Sequence, residues 1–440
     1  MKALIIKFFT FVITRNFIFF LNFLRFRIRF HESVKKPNQI SIINTFDLGG
    51  GAAKIARDLA NNFRSSNSLR LYVKTKKSKH DWVFEIQSKP YTFLEEILRR
   101  EAVRKGWVEF TGFHAKCLLE DPFFQESSVV HLHNLHGEFF SPSLFKSLFK
   151  GKKVIWTLHD ESLITGHCSC TLGCDRWQIG CGSCPDLTIY PSIQFDNTKD
   201  VLHYKKKWIT ELQPIVVCPS HWLANRVRIA YPALKNITVI PNGVDTDIFQ
   251  PKEKAKVRAL LGFPDKKKIV LFVAEFATQN PFKGGAILRE IISDSTFSDV
   301  IFVTVGGSHE STYHNHICYP YIEDENELAN LYAACDVLLY PTQADNLPLV
   351  VLESMACGTP VIASKIGGIP EIISHQQDGF LVDESTDFKV FRRWLLDFLL
   401  LNLHELYYVN QLARIKVEKF FSKKVSHELY KKIYNESIKK

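Results

Sequence analysis

The chain has 440 residues, more than one hydrophobic core usually holds, so two domains plus additional segments are expected. Hydrophobic residues make up 46% and charged residues 23%, which excludes a disordered chain, a coiled coil, a collagen and a polytopic membrane protein. The formal net charge of +10 sits at the ends: residues 1–40 carry +7, residues 401–440 carry +5, and the body carries −2, so no basic track for nucleic acid is expected.

Residues 1–37 are apolar, aromatic and basic. Residues 8–24 approach the length of about 20 that a spanning helix needs, but Arg15 and Asn16 interrupt the run. A central Arg costs about 2.5–3.5 kcal/mol on insertion scales. There is no small-residue cleavage site of the secretory kind. Arg25, Arg27 and Arg29 follow, alternating with Phe and Ile. The reading that fits best is an interfacial anchor whose basic residues meet anionic lipid. That would make the protein cytoplasmic and peripheral on the inner face of the cytoplasmic membrane. A single N-terminal span, or an extra helix packed on the globule, are the alternatives.

After Pro37 the pattern changes. A β-rich run at 39–45 leads into DLGGGAAK (47–54) and a helical apolar spacing at Ala52, Ile55, Ala56, Leu59 and Phe63. That is strand, glycine loop, helix. Further strands are expected at 69–73, 128–133, 153–159 and 214–218, with helices at 93–105 and 199–212 between them. The alternation restarts with strands at 267–274, 299–307, 336–342 and 359–364, and helices at 284–293 and 348–356. Strands alternating with helices imply parallel sheets. The fold class is therefore α/β with two doubly wound, Rossmann-like domains, 38–242 and 243–410, joined near ITVIPNGVDTDIF (237–249). A basic helix is expected from 411 to 440. In such folds ligands bind beyond the carboxyl ends of the strands, so a cleft serving two substrates is plausible.

Five of the ten cysteines crowd into Cys168–Cys184, which reads as an insertion at 165–185. Cys168, Cys174, Cys181 and Cys184 include one C-x-x-C and could form a tetrahedral structural zinc site. Free or packed thiols are the alternative, and disulfides are not expected in the cytoplasm. Four thiolates would close the coordination shell, so a catalytic zinc is not expected.

The strongest chemistry lies in PTQADNLPLVVLESMACGTPVIAS, where Asp345 and Glu353 flank seven residues. Asp345 falls in a loop after a strand and Glu353 in the following helix. One carboxylate can face a reacting sugar carbon while the other accepts hydrogen bonds from a ribose diol. Asn346, Leu347 and Pro348 between them supply a helix start suited to a diphosphate. The run resembles the donor-site signature of the family 4 glycosyltransferases, in the form D-N-L-P. PNGVDTDIF resembles that family's interdomain junction, GGIPEII (367–373) its second donor-side glycine loop, and DLGGGAAK its N-terminal glycine loop.

The resemblance covers most of residues 38–400 and implies a GT-B fold with two Rossmann-like domains facing across a cleft. The first domain would hold the acceptor and the second the nucleotide-sugar. The implied activity is retaining transfer of a sugar, of the hexosyltransferase type, to a glycan or polyprenyl-linked acceptor. Cell-surface polysaccharide synthesis is the expected setting, because a subgroup active in exopolysaccharide assembly carries a similar Cys-rich insertion. The resemblance assigns donor binding to Lys283, Gly284, Gly306, Gly367 and Gly368, with Asn346, Leu347, Pro348 and Glu353. It assigns the cleft loop to Gly49, Gly50 and Gly51, with Asp160 beside His159; His133, at a strand end that opens on the cleft, is a second candidate for its wall. Asp345 and His159 would be catalytic, His159 positioning the donor sugar's hydroxyls. No catalytic metal is expected, since Lys283 and helix N-termini would take the leaving diphosphate. The family's Arg before Lys283 is missing, and VAEFATQ offers Glu275 instead. That absence keeps open a non-catalytic nucleotide-sugar-binding subunit as a second reading. An epimerase or hydrolase on the same fold is a third.

Overall fold

A computed structural model describes residues 34–86, 93–112, 114–307, 313–383 and 387–439. Within it the chain divides into two compact units. The first takes the chain up to Val217, with Asn225–Thr238 and the segment from Ile433; the second takes Cys218–Ala224 and Val239–Lys432. The membrane-anchor expectation concerns residues 1–37, of which 1–33 lie outside the described residues. Among the described residues no helix is long and apolar enough to cross a membrane.

The first sheet runs β3-β2-β1-β4-β5-β6-β7. Its strands are β1 (Lys36–Phe46), β2 (Ser68–Thr75), β3 (Val83–Glu85), β4 (Ser127–Leu132), β5 (Lys153–Thr157), β6 (Ile215–Cys218) and β7 (Ile237–Val239). Strands β1 to β6 pair in parallel. From Gln39 to Thr45 every residue of β1 is buried, as expected for a central strand covered on both faces. Its polar members find partners: Ser41 Oγ lies 2.7 Å from Ser127 Oγ on β4. The helix Gly50–Phe63 buries Ala53, Ile55, Ala56, Leu59, Ala60 and Phe63 against the sheet.

The second sheet runs β10-β9-β8-β11-β12-β13. It comprises β8 (Ile269–Val273), β9 (Ile301–Val305), β10 (His316–Tyr319), β11 (Val337–Tyr340), β12 (Val361–Ser364) and β13 (Phe380–Val382), all parallel. Its core gathers Phe272, Leu288, Ile291, Phe297, Phe302, Leu339, Ile362 and Phe391. In each sheet the strand order reverses once, between β1 and β4 and between β8 and β11. Loops leaving the strands on either side of such a point diverge and leave room for a ligand.

The expected single helix from 411 is instead two, Leu403–Phe420 and Lys423–Lys439. The break is forced by pairing. Val244 N–H donates to the Phe421 carbonyl at 2.9 Å, and Lys423 N–H donates to the Val244 carbonyl at 2.9 Å. Phe421 and Ser422 are buried there, so the chain extends for one bridge before the helix resumes. The last helix then delivers Tyr434 to the first unit, where it packs edge-on to Phe63 at 4.9 Å.

Candidate active site

In the second unit the loops at the switch point carry the expected donor residues. Asn280 organises the loop after β8: its side-chain oxygen accepts from Phe282 N–H at 3.0 Å and Lys283 N–H at 3.2 Å. The Phe282 carbonyl accepts in turn from Gln343 N–H at 2.7 Å and the Thr342 hydroxyl at 3.0 Å. Lys283 is thereby aimed at the loop after β11, where its ammonium pairs with Asp345. The same carboxylate oxygen accepts from Tyr340 OH at 2.5 Å, and the other accepts from Asn346 N–H at 2.8 Å. Burial works against the charge on Lys283, but Asp345 beside it outweighs burial and holds the ammonium above its ordinary range. Burial first, then the Asp345 charge, raise the Tyr340 phenol.

Asn346 is 6% exposed. Its oxygen accepts from the Ser220 hydroxyl at 2.7 Å, while its amide nitrogen is buried with no hydrogen-bond partner. The Leu347 carbonyl accepts from Asn242 at 2.8 Å, and Pro348 stands at the start of the helix Leu349–Ala356. Glu353 is buried in that helix, one oxygen accepting from Tyr332 OH at 3.1 Å.

The four glycines of this group lie where loops meet. A Cβ on Gly367, whose φ is +56°, would run into the Asp345 carbonyl; one on Gly368 would meet the Asn346 carbonyl. Gly284 stands likewise against Pro341, and Gly306 against Ala274. Glu371, in the short helix Ile369–Ile372 that follows Gly367 and Gly368, accepts from His221 N–H at 2.8 Å and Trp222 N–H at 2.7 Å. Glu275, in the segment where the expected Arg is missing, is exposed. Phe276 beside it is 62% exposed with a left-handed φ of 60°.

In the first unit, Asp47 opens the bend after β1. It accepts from Lys77 N–H at 2.7 Å and Ser78 N–H at 2.9 Å. Burial pushes its carboxyl up, but these hydrogen bonds bring it below the ordinary value. Gly49 and Gly50 take positive φ and start the helix, while Gly51 is already inside it.

The loops after β4 and β5 line a cavity of about 220 Å³. His133 Nδ1 lies 2.9 Å from His159 Nε2 with the rings stacked. His136 Nε2 lies 2.7 Å from Asp160 Oδ2. Phe140, Phe145, Trp156 and Leu163 form apolar walls, and Glu109 and Lys205 also line the cavity. His133 is 1% exposed, and its Nε2 has no hydrogen-bond partner. Burial holds His159 at about 4 and His133 well below the ordinary value, so both are neutral at physiological pH. Burial also works against charge on His136, but Asp160 prevails and raises it. Behind the cavity His131 is fixed by Tyr434 OH at 2.7 Å and Thr157 Oγ1 at 2.8 Å. The sequence pattern left Tyr340, Asn280, Ser220 and His136 unassigned.

Cys168, Cys174, Cys181 and Cys184 are all free and partly buried. Burial pushes Cys168 up to about 12, and the nearby Cys181 and Cys184 thiols add to the shift. Cys184 Sγ lies 3.4 Å from His167 Nε2. Among the described residues no three or more His, Cys, Asp or Glu side chains are gathered as a metal-binding group. Cys181 and Ser183 nevertheless hold left-handed φ values of 62° and 49°, costly for non-glycine residues.

Residues 49–248 match the profile described as Glycosyltransferase Family 4, and residues 253–408 match Glycosyl transferases group 1. The chain belongs to the family 4 glycosyltransferases. The chain is 27% identical over 258 residues to WcaC of Escherichia coli (strain K12), a glycosyl transferase named for colanic acid biosynthesis; the match covers 56% of the chain and 62% of WcaC. It is 32% identical over 166 residues to the D-inositol 3-phosphate glycosyltransferase of Segniliparus rotundus, covering 34% of the chain and 36% of that enzyme. The chain thus spans under two thirds of the length of these relatives.

Sucrose-phosphate synthase from Thermosynechococcus elongatus superposes with a TM-score of 0.65 at 19% identity, over 90% of this chain and 98% of that one. Anabaena HepE, solved in complex with UDP-glucose, gives 0.62 at 16% identity, over 90% and 99%. These likenesses give the fold: GT-B, with two parallel-sheet α/β domains.

Proposed function

We propose that this chain transfers a sugar from a nucleotide-sugar to a glycan acceptor with retention of configuration, in polysaccharide or glycan biosynthesis. The observation that carries the reading is the group Lys283, Asp345 and Asn346 at the switch point of the second sheet, where Asn346 keeps a buried amide donor without a partner. A diphosphate supplies what that group lacks. Lys283 and the Asn346 amide would stabilise charge as it develops on the leaving diphosphate, the kind of preorganised interaction that contributes most to such reactions. Asp345 would face the sugar carbon, where positive charge grows in an oxocarbenium-like transition state. The departing phosphate would take the acceptor's hydroxyl proton on the same face. Glu353 would serve the ribose. In the first unit His133 and His159, both neutral, suit sugar hydroxyls as hydrogen-bond partners.

UDP-glucose, the ligand of HepE, is the first donor to test. A polyprenyl-linked acceptor at the cytoplasmic membrane surface is the acceptor class we propose, because the basic N-terminal segment is compatible with it. Calorimetry on Lys283→Ala tests the donor site. Loss of a charged hydrogen bond of about 1.5–3 kcal/mol weakens nucleoside diphosphate binding roughly 10- to 150-fold. Unchanged affinity would place the diphosphate elsewhere. Donor binding without turnover across a broad acceptor panel would favour the non-catalytic subunit.

A further inference from the structure

Asp345 Oδ2 accepts from two donors of different character. Tyr340 OH comes from the buried end of β11, with the ring 2% exposed. Lys283 comes from a loop, on a side chain 28% exposed. Lys is a point charge on a flexible four-carbon stem, whereas the tyrosine ring cannot move without disturbing the sheet. We propose that the Lys283–Asp345 pair is a lock that the donor's diphosphate opens, and that Tyr340 is the positioning residue that holds Asp345 once Lys283 has left. This rests on the reading of the second-unit group as the donor site.

One ammonium cannot serve a carboxylate and a diphosphate equally, and the diphosphate carries the greater charge. When Lys283 turns to it, Asp345 loses the cation paired with it. Stripping the partner from a buried charge is costly unless other donors remain. Two do remain, Tyr340 OH and Asn346 N–H. Asp has a one-methylene stem, so this carboxylate cannot follow the moving ammonium. Burial and the Asp345 charge also keep the Tyr340 phenol protonated and able to donate. The carboxylate is therefore neutralised while the site is empty, and becomes a held, uncompensated charge when a donor arrives. An empty site of this kind binds with its intrinsic affinity reduced by the fraction in which Lys283 is free.

The test is a double-mutant cycle on the full chain. The probe is whichever of UDP, GDP, ADP and dTDP the wild type binds tightest. Asp345→Asn frees Lys283 and tightens binding about 3- to 10-fold, although sugar transfer is lost; Asp345→Ser does the same should the Asn variant fold poorly. Tyr340→Phe leaves the lock intact but removes the support of the open state, so binding weakens about 3- to 10-fold. In the Asp345→Asn background Tyr340→Phe has no further effect, a result that a general packing role for Tyr340 does not give. Weaker or unchanged binding in Asp345→Asn, or a Tyr340→Phe penalty that persists in the double variant, overturns the lock. If Lys283→Ala also leaves binding untouched, the donor-site reading falls with it; if Lys283→Ala abolishes binding, only the lock falls.

Discussion

Asp160→Asn separates charge from shape in the first unit. Asp160 receives His136 at 2.7 Å and Ser162 N–H at 2.9 Å, and the His136 and Asp160 side chains are 14% and 22% exposed. The substitution keeps the volume and removes the anion. A charge-assisted hydrogen bond so placed contributes about 1.5–3 kcal/mol. The pH window follows from the two shifts. His136 is raised, so its contribution is complete below its unfolded value of about 6.5 and is lost as pH rises through the folded value. Asp160 is depressed: burial pushes it up, but His136 overrides burial. Its contribution is complete above about 3.9 and is lost as pH falls toward the folded value. The deficit of the variant is therefore largest near pH 5.5 and smaller at a pH above the folded value of His136. The two units need not unfold together, so hydrogen exchange in β4 and β5 is the appropriate measure. Equal deficits at both pH values would mean that the pair is not charged, and the electrostatic reasoning for this cavity would fail.

Two further outcomes are expected. The zinc expected at Cys168, Cys174, Cys181 and Cys184, which this structure does not gather as a metal-binding group, is decided by metal analysis of protein purified without chelator: one ion per chain, whose mild chelation exposes the 165–185 insertion to protease before nucleotide binding changes, supports it, and none sinks it. Deleting residues 1–36 should move the protein from the membrane pellet to the supernatant with nucleotide affinity retained, and high salt should partly release the intact chain, since exposed charges are screened beyond about 8 Å at physiological ionic strength; intact chain that resists both high salt and alkaline carbonate favours a spanning segment.

The alternation of strand and helix was legible because the central strands are short runs rich in β-branched and other apolar residues. The expected strand at 39–45 is the core of β1, and that at 336–342 contains β11. The strands not foreseen, β3, β7, β10 and β13, have only three or four residues, too short for a period to show. The site was legible where its residues are close in sequence, as with Asp345 and Glu353. It was illegible where folding brings distant positions together. Ser220 meets Asn346 across 126 residues, and Tyr434 meets His131 across 303. Tyr340 is close to Asp345 in sequence, yet it read only as the last apolar residue of a strand. Nothing in the pattern distinguishes its hydroxyl from the ring that fills the core.

The meeting of Gly367 and Gly368 with the carbonyls of Asp345 and Asn346 has a practical meaning for engineering. At Gly367 and Gly368 there is no room for a side chain against those carbonyls, and Gly368 N–H donates to the Asn346 carbonyl at 2.8 Å. Segments 345–348 and 366–369 are therefore a single unit of exchange. A graft that brings one of them from a homologue with a different donor imports a backbone path that its resident counterpart was not shaped to receive. Chimeras that alter sugar preference should carry both segments together, and libraries that randomise one while fixing the other will be filtered by collision before they are filtered by chemistry.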